Sequence, residues 1–201
     1  IVKRSVEQCG LGLFNGMSAA VHPKGLFRLL SQIRFGTILN IAGSLASPVL
    51  PHLGVRGVFN PDMVDRVAKV LREIGYREAL VFHGLTDNGQ PGMDEISNLG
   101  ATIFCQLKEN GSLDRFTVEP EELGIKRAKP EELAPADSPQ EEAVRLVRLL
   151  AGKENGARLD AVCINTAPMF LLARRVNDFK AGVELAKELI LAGEGLAKLK
   201  E

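Results

Sequence analysis

The sequence has 201 residues, of which 45% are apolar, and its 25 basic residues balance its 25 acidic residues. This composition fits a globular protein with its own core and argues against a disordered tail or a strongly basic nucleic-acid-binding chain. The cysteines, Cys9, Cys105 and Cys163, include no CxxC pair, which argues against disulfide frameworks and structural zinc sites and favours a reducing cytoplasm. The apolar runs are far shorter than the ~20 residues that cross a bilayer, so a soluble protein without a membrane partner is predicted.

The first 50 residues predict helices interrupted by Gly, Ser and Pro. One helix is expected after Pro23; it carries Arg28, has Arg34 near its end and is preceded by His22-Pro23. Arginine suits a carboxylate or phosphate because its planar fork binds two oxygens at once. The same spacing is also explained by solvated surface arginines, so the residues alone leave both interpretations open.

Residues 53–83 predict a βαβ unit. The letters LGVRGVF form a short strand, Asn60 caps a helix, Gly75 ends it, and ALVF at 79–82 is a buried strand. Parallel strands joined in this way place ligands in the loops at their carboxyl ends. The segment His83–Ser97 forms such a loop, and its length and richness in Gly, Pro, Asn and Asp are typical of a functional loop.

Asp94 and Glu95 are the candidates for chemistry in this loop. Two adjacent carboxylates offer hard oxygen ligands to Mg²⁺, which binds through one or two carboxylates together with substrate phosphates. The pair is also explained as the first turn of a short helix, whose positive end favours negative charge. His83 either orients the loop or satisfies the end of the strand. No pattern for nucleophilic catalysis is present, and no catalytic residue is assigned.

The remainder of the chain completes an α/β pattern. Residues 101–107 and 113–118 alternate like a hairpin around Asn110-Gly111. A polar stretch leads to a helix over 139–151 that is capped by Ser138, and LDAVCINTAPMFLLAR and FKAGVELAKELILAGEGLAKLK predict a buried helix and a closing amphipathic one. The predicted fold is therefore a central mixed, largely parallel sheet with helices on both faces, plus a β-hairpin.

The loop also carries a family resemblance. The segment HGLTDNGQPGMDEISNLGAT resembles the metal-binding region of the anthranilate phosphoribosyltransferase family, in which a GMDEIS-like pattern follows a strand and His-Gly. Upstream, GLGLFNGMSAAVHP and ILNIAGSLASPV resemble two further segments of the family. Downstream, VCINTAPMFLLAR and FKAGVELAKELILAGEGLAKL resemble its closing helices. The resemblance extends over nearly the whole chain.

This resemblance implies that Asp94 and Glu95 hold Mg²⁺ on the pyrophosphate of phosphoribosyl pyrophosphate. The implied reaction, which belongs to tryptophan biosynthesis, is displacement of pyrophosphate at the anomeric carbon of the ribose by an amine. Its cation-like state is stabilised mainly by positioning and by the metal. The resemblance thus predicts a Mg²⁺-dependent phosphoribosyltransferase.

The resemblance also implies an acceptor site. His22 lies beside the acceptor, Gly43 contributes to substrate binding, and Arg28, or Arg34 in its place, grips the acceptor carboxylate. Ser44 stands where the family carries proline, and IRFGT departs from the family's Gly-Ile-Arg-Thr. The acceptor is therefore predicted as a small aromatic or nitrogenous molecule, similar to anthranilate.

The family's glycine-rich phosphate loop and its dimerising helical domain, which precede this region in relatives, do not occur in the sequence. We therefore expect residues 1–201 to be a catalytic α/β domain that lacks its N-terminal portion, is inactive alone and comes from a homodimeric parent. One alternative is a transferase-like paralogue that binds nucleic acid, although the balanced charge argues against it. Another is a nucleoside phosphorylase of the related pyrimidine class, which uses phosphate.

Overall fold

The computed structural model describes residues 2–13, 32–33, 41–42, 45 and 50–201. The contacts within the chain define two units, one comprising Ile1–Pro51 with Glu201 and the other His52–Lys200. The first unit contributes helix α1 (Val2–Cys9). Most of the helix predicted after Pro23 lies outside the described residues.

The second unit combines a five-stranded sheet with five α-helices. The strands are β1 (Leu53–Gly57), β2 (Glu78–Leu85), β3 (Pro91–Met93), β4 (Thr102–Leu107) and β5 (Leu113–Val118). The helices are α2 (Val64–Ile74), α3 (Pro139–Leu150), α4 (Ala157–Leu172), α5 (Phe179–Leu191) and α6 (Glu194–Lys200). Short 3₁₀ helices span Pro61–Met63, Pro120–Leu123 and Pro130–Leu133. The predicted α/β class is confirmed.

The sheet is mixed, as predicted. Its strand order is β1-β2-β4-β5, and β3 pairs with the end of β2. Strands β1 and β2 are parallel, whereas β2 pairs antiparallel with both β3 and β4, and β4 pairs antiparallel with β5. The predicted hairpin is β4–β5, with Gly111 in its turn at a φ of 79°. Among the described strands, only β1 and β2 pair in parallel, so the prediction of a largely parallel sheet is wrong.

The β1-α2-β2 segment forms the predicted βαβ unit. The Asn60 side chain accepts a hydrogen bond from the Asp62 amide at 2.8 Å, so the helical turn starts at Pro61. Helix α2 ends at Gly75, whose φ of 108° is a left-handed conformation that glycine adopts without strain. The short connections at both ends of α2 hold β1 and β2 side by side, so both carboxyl ends lie at one edge.

Helices cover both faces of the sheet. Leu80 and Phe82 belong to a core cluster that includes Phe104 and residues of α4 and α5. Because side chains alternate across a strand, Ala79 and Val81 face the opposite side, where α2 packs against β2 and β4. Within the described part of the chain, no helix is both long and apolar enough to span a membrane.

The first of the C-terminal helices begins at its predicted cap, and the last needs a correction. The Ser138 hydroxyl accepts a hydrogen bond from the Glu141 amide at 3.2 Å, which starts α3 where predicted. The closing helix, predicted as one piece, is instead divided into α5 and α6. Gly193 lies between them with a φ of 81°, which a continuous right-handed helix does not contain.

The buried thiols provide a test of the core. Burial, together with the negative charge of Asp65, raises the pKa of Cys105 to about 11, and burial, with a contribution from Asp160, raises the pKa of Cys163 to about 11. Because only the thiolate is alkylated efficiently, we expect both cysteines to resist iodoacetamide at pH 8.5 until urea unfolds the protein, as measured by peptide mass spectrometry.

The same shifts predict a pH dependence of stability. Each thiol ionises near its ordinary pKa in the unfolded chain but only near 11 in the folded protein. Its contribution to the free energy of unfolding is therefore fully present below the ordinary thiol pKa. This contribution is lost as the pH rises towards 11. The protein with both Cys105→Ala and Cys163→Ala, compared by urea unfolding, should therefore lose less stability over this range. Equal alkylation rates in native buffer and in urea would contradict the burial of these thiols.

Candidate functional site

The segment that carries Asp94 and Glu95 lies against the carboxyl ends of β1 and β2. A Cβ atom on Gly57, the last residue of β1, would overlap the carbonyl oxygen of Asp94. A Cβ atom on Gly84, near the end of β2, would lie 2.5 Å from the carbonyl oxygen of Glu95. The two glycines therefore let the backbone of the acidic segment rest directly on the parallel pair of strands, at the edge where ligands were expected.

The two acidic side chains are exposed and lie in bends that follow β3. The alternative that they occupy the first turn of a short helix is wrong. The backbone arrives from β3 and then packs on Gly57 and Gly84, and no helix begins there. The favourable interaction of acidic side chains with the positive end of a helix therefore does not explain this pair.

The charges at this edge remain uncompensated by the described part of the chain. Neither Asp94 nor Glu95 forms an ion pair with residues 50–201. Reduced hydration where the segment packs on the sheet, and secondarily the charge of Asp94, raise the pKa of the Glu95 carboxyl. A nearby cation would relieve this repulsion.

His83 lies within β2 and not at the start of a loop, because β2 continues to Leu85 and pairs with β4 beyond it. Its ring is 1% exposed. Its Nδ1 lies 2.7 Å from the carbonyl oxygen of Val58, and the Gly92 amide donates to its Nε2 at 3.3 Å. Since an amide can only donate and a carbonyl can only accept, the ring is a neutral imidazole with its proton on Nδ1. The two alternatives for His83 are therefore not exclusive: its ring bonds the carbonyl group that follows β1 and also holds Gly92, in the segment before the acidic pair.

Ser97 stabilises the turn on the other side of the pair. Its hydroxyl donates to the carbonyl oxygen of Leu85 at 2.7 Å and accepts from the amides of Leu99 and Gly100 at 3.0 and 3.2 Å. The Ser97 amide donates to the hydroxyl of Thr102 at 2.9 Å. This network fastens the chain after the acidic pair to the ends of β2 and β4.

A residue that the sequence analysis did not single out also reaches this segment. The side-chain amide of Asn165, on α4, bonds both backbone groups of Ile96, the residue that follows Glu95. The available signal was a lone amide side chain within the apolar run VCINTAPMF. Its partner could not be identified because 69 residues separate it from Ile96.

The structure does not describe the residues predicted to bind the acceptor. His22, Arg28, Arg34 and Gly43 lie outside the described residues. Their assignment to substrate binding therefore stays a prediction.

The donor set at the sheet edge fits Mg²⁺. Two carboxylates are present, both exposed, and Mg²⁺ takes one or two carboxylates and completes its shell with water or phosphate oxygens. Among the described residues, no group of three or more His, Cys, Asp and Glu side chains could form a fully protein-built metal site. Asp94 and Glu95 could therefore hold the ion together with a ligand that supplies oxygens of its own.

Comparison with known proteins identifies the family to which the chain belongs. Residues 1–196 match the family model described as "Glycosyl transferase family, a/b domain". The chain belongs to this glycosyl transferase family. The acidic pair at the sheet edge thus lies within the residues that match this family's α/β domain.

Individual proteins and solved structures similar to this chain are anthranilate phosphoribosyltransferases. An anthranilate phosphoribosyltransferase from Methanococcoides burtonii is 36% identical over 203 residues, covering 100% of this chain and 54% of the relative. The crystal structure of anthranilate phosphoribosyltransferase from Thermus thermophilus has a TM-score of 0.81 at 32% identity and covers 99% of this chain and 56% of its own. The Saccharomyces cerevisiae enzyme in complex with phosphoribosyl pyrophosphate and Mg has a TM-score of 0.71 at 25% identity, covering 88% and 47%. The chain spans about half the length of these relatives.

Proposed function

We propose that the complete protein transfers the phosphoribosyl group of phosphoribosyl pyrophosphate to a small aromatic or nitrogenous acceptor similar to anthranilate, with Mg²⁺. The observation that carries this proposal is the placement of Asp94 and Glu95. They lie against the ends of two parallel strands, exposed and without a cationic partner in residues 50–201. The relatives' function and the Mg-bound yeast structure support the same reaction. Cys105 and Cys163, two buried thiols that form no disulfide, are consistent with a cytoplasmic location.

The carboxylates of Asp94 and Glu95 would hold Mg²⁺ where the pyrophosphate of the substrate binds. When bound, Mg²⁺ neutralises charge that develops on the departing pyrophosphate. His83 and Ser97 keep the acidic segment fixed on the sheet, so the carboxylates need no rearrangement when the substrate arrives. This chain's contribution to catalysis is then positioning and electrostatics, without a protein nucleophile.

The acceptor would bind through the N-terminal residues. His22 and Gly43 would lie beside it, and Arg28 or Arg34 would bind its carboxylate through two oxygens. In the reaction, the acceptor nitrogen forms a bond to the anomeric carbon while the bond from that carbon to pyrophosphate breaks. The leaving pyrophosphate takes the electron pair, and the acceptor nitrogen releases a proton to solvent.

Binding and transfer assays on the complete protein test this proposal. We expect calorimetry to show binding of phosphoribosyl pyrophosphate that requires Mg²⁺, and we expect anthranilate or a related amine to be consumed with release of pyrophosphate. No binding at millimolar ligand would contradict the proposal. Salt-sensitive binding of single-stranded DNA in its place would favour the nucleic-acid-binding paralogue, and sedimentation of the same sample would test the predicted homodimer.

A further inference from the structure

The acidic segment is anchored by a side chain from a distant helix. The Ile96 amide donates to Oδ1 of Asn165 at 2.8 Å, and Nδ2 of Asn165 donates to the carbonyl oxygen of Ile96 at 3.0 Å. The first bond fixes the peptide group that joins Glu95 to Ile96, and the second fixes the next one. We propose that Asn165 is a positioning residue that sets the orientation of the Asp94 and Glu95 carboxylates for the metal, an inference that rests on the proposed function.

The side-chain amide of Asn165 uses both its acceptor oxygen and its donor nitrogen. Besides bonding Ile96, Nδ2 donates to the carbonyl oxygen of Ala161, one turn earlier in α4, at 2.9 Å. Two carbonyl partners demand a donor and the Ile96 amide demands an acceptor, so the orientation of the amide group is determined by its partners. Aspartate, leucine or alanine at this position cannot make the same three bonds.

Both sides of this contact are held rigidly. The neighbours of Asn165 on α4, Cys163, Ile164 and Ala167, are fully buried in the core. The Ile96 side chain is 1% exposed and belongs to the same core cluster. Glu95 is therefore one residue away from a buried anchor, while its own side chain is exposed. The position of α4 therefore determines where the backbone next to the two carboxylates lies.

This role resembles that of the outer hydrogen-bonding partners of metal ligands in general. Loss of such partners typically costs about 10- to 100-fold in metal affinity, because the ligands are no longer held in the binding orientation. For Asn165 we expect an effect near the lower end, about tenfold, since Ser97 and His83 continue to hold the segment elsewhere.

The test compares Asn165→Ala and Asn165→Leu with Thr166→Val in the complete protein. Thr166 lies next to Asn165 on α4, but among the described residues its hydroxyl bonds only the carbonyl oxygen of Val162, at 2.8 Å, so its replacement controls for changes in the helix. Asn165→Leu keeps the side-chain size, which guards against a variant that fails to fold. Thermal unfolding identifies any variant that has lost its structure.

Two measurements follow. Without any ligand, hydrogen exchange of a peptide covering residues 92–97 should become faster in both Asn165 variants and stay unchanged in Thr166→Val. With phosphoribosyl pyrophosphate, the Mg²⁺ concentration that gives half-saturation should rise about tenfold in the Asn165 variants only.

The outcomes separate the two claims. Unchanged exchange and unchanged Mg²⁺ dependence in folded Asn165 variants would overturn the positioning role, while Mg²⁺-dependent binding by the parent protein would keep the proposed function intact. Faster exchange without a change in Mg²⁺ dependence would reduce Asn165 to a structural residue and would also overturn the inference. A parent protein without Mg²⁺-dependent binding would overturn the proposed function and, with it, this role.

Discussion

Combining Asp94→Asn with Glu95→Gln should abolish Mg²⁺-dependent binding of phosphoribosyl pyrophosphate by the complete protein. The amides keep the size of the side chains but remove both negative charges, and Mg²⁺ binds neutral amides far more weakly than carboxylates. We expect an affinity loss of at least about 100-fold, or about 2.7 kcal/mol, in calorimetric titrations at constant Mg²⁺. The fold should persist because neither carboxylate is paired with the described residues.

Another exposed acidic residue, close to the pair in sequence, provides the control for this double variant. Asp87 lies in the turn between β2 and β3 and is exposed, and within the part of the chain that the structure describes its side chain bonds only the amide of its neighbour Asn88, at 3.0 Å. Asp87→Asn removes one charge close in sequence and should leave binding unchanged. The single variants Asp94→Asn and Glu95→Gln would show which carboxylate contributes more. Retention of full Mg²⁺-dependent binding by the double variant would contradict the assignment of the metal site.

Gly57→Ala should disrupt the site without touching either carboxylate. The added methyl group would overlap the carbonyl oxygen of Asp94, which is backbone and cannot rotate away. Either the end of β1 or the acidic segment must move, and overpacking of this kind costs about 1–3 kcal/mol. We expect a lower melting temperature and at least about a tenfold loss of Mg²⁺-dependent binding, since a 1 Å displacement of positioned groups can cost even more.

Gly54→Ala, on the same strand, is the matched control. Its added methyl group would meet the ring of Tyr76, a half-buried side chain that can move. The register of β1 with β2 places Gly54 opposite Ala79, at the far end of the strand from the acidic segment. This variant should cost some stability but leave Mg²⁺-dependent binding unchanged. Equal binding by Gly57→Ala and the parent protein would show that the acidic segment does not depend on its contact with β1.

Local signals predicted the part of the fold that supports the site. The Asn60 cap, the helix stop at Gly75 and the buried strand at 79–82 each act within a few residues, so the βαβ unit followed from the sequence. The alternation around Asn110-Gly111 likewise identified the β4–β5 hairpin. These elements already placed the acidic loop at the carboxyl edge of parallel strands.

The errors and omissions concern contacts between distant residues. His83 was predicted at the start of a loop, but β2 extends beyond it because Gly84 pairs with Met93 of β3 and with Thr102 of β4, and the local pattern of the strand does not indicate these partners. The helix expected at Asp94 does not form because Gly57 and Gly84 provide a surface for an irregular backbone. Asn165 has a partner 69 residues away, which no local pattern indicates. Tertiary packing therefore determines how the acidic pair is held.

The location of the metal ion in the complete protein tests the central claim most directly. Crystals grown with Mn²⁺ and phosphoribosyl pyrophosphate would show the ion through its anomalous scattering. The account predicts an anomalous peak at the carboxyl edge of β1 and β2, with a carboxylate oxygen of Asp94 or Glu95 within about 2.2 Å or one water molecule away, and with the pyrophosphate as its other ligand. A peak elsewhere, with both carboxylates turned towards solvent or paired with basic side chains while the substrate is bound, would contradict it.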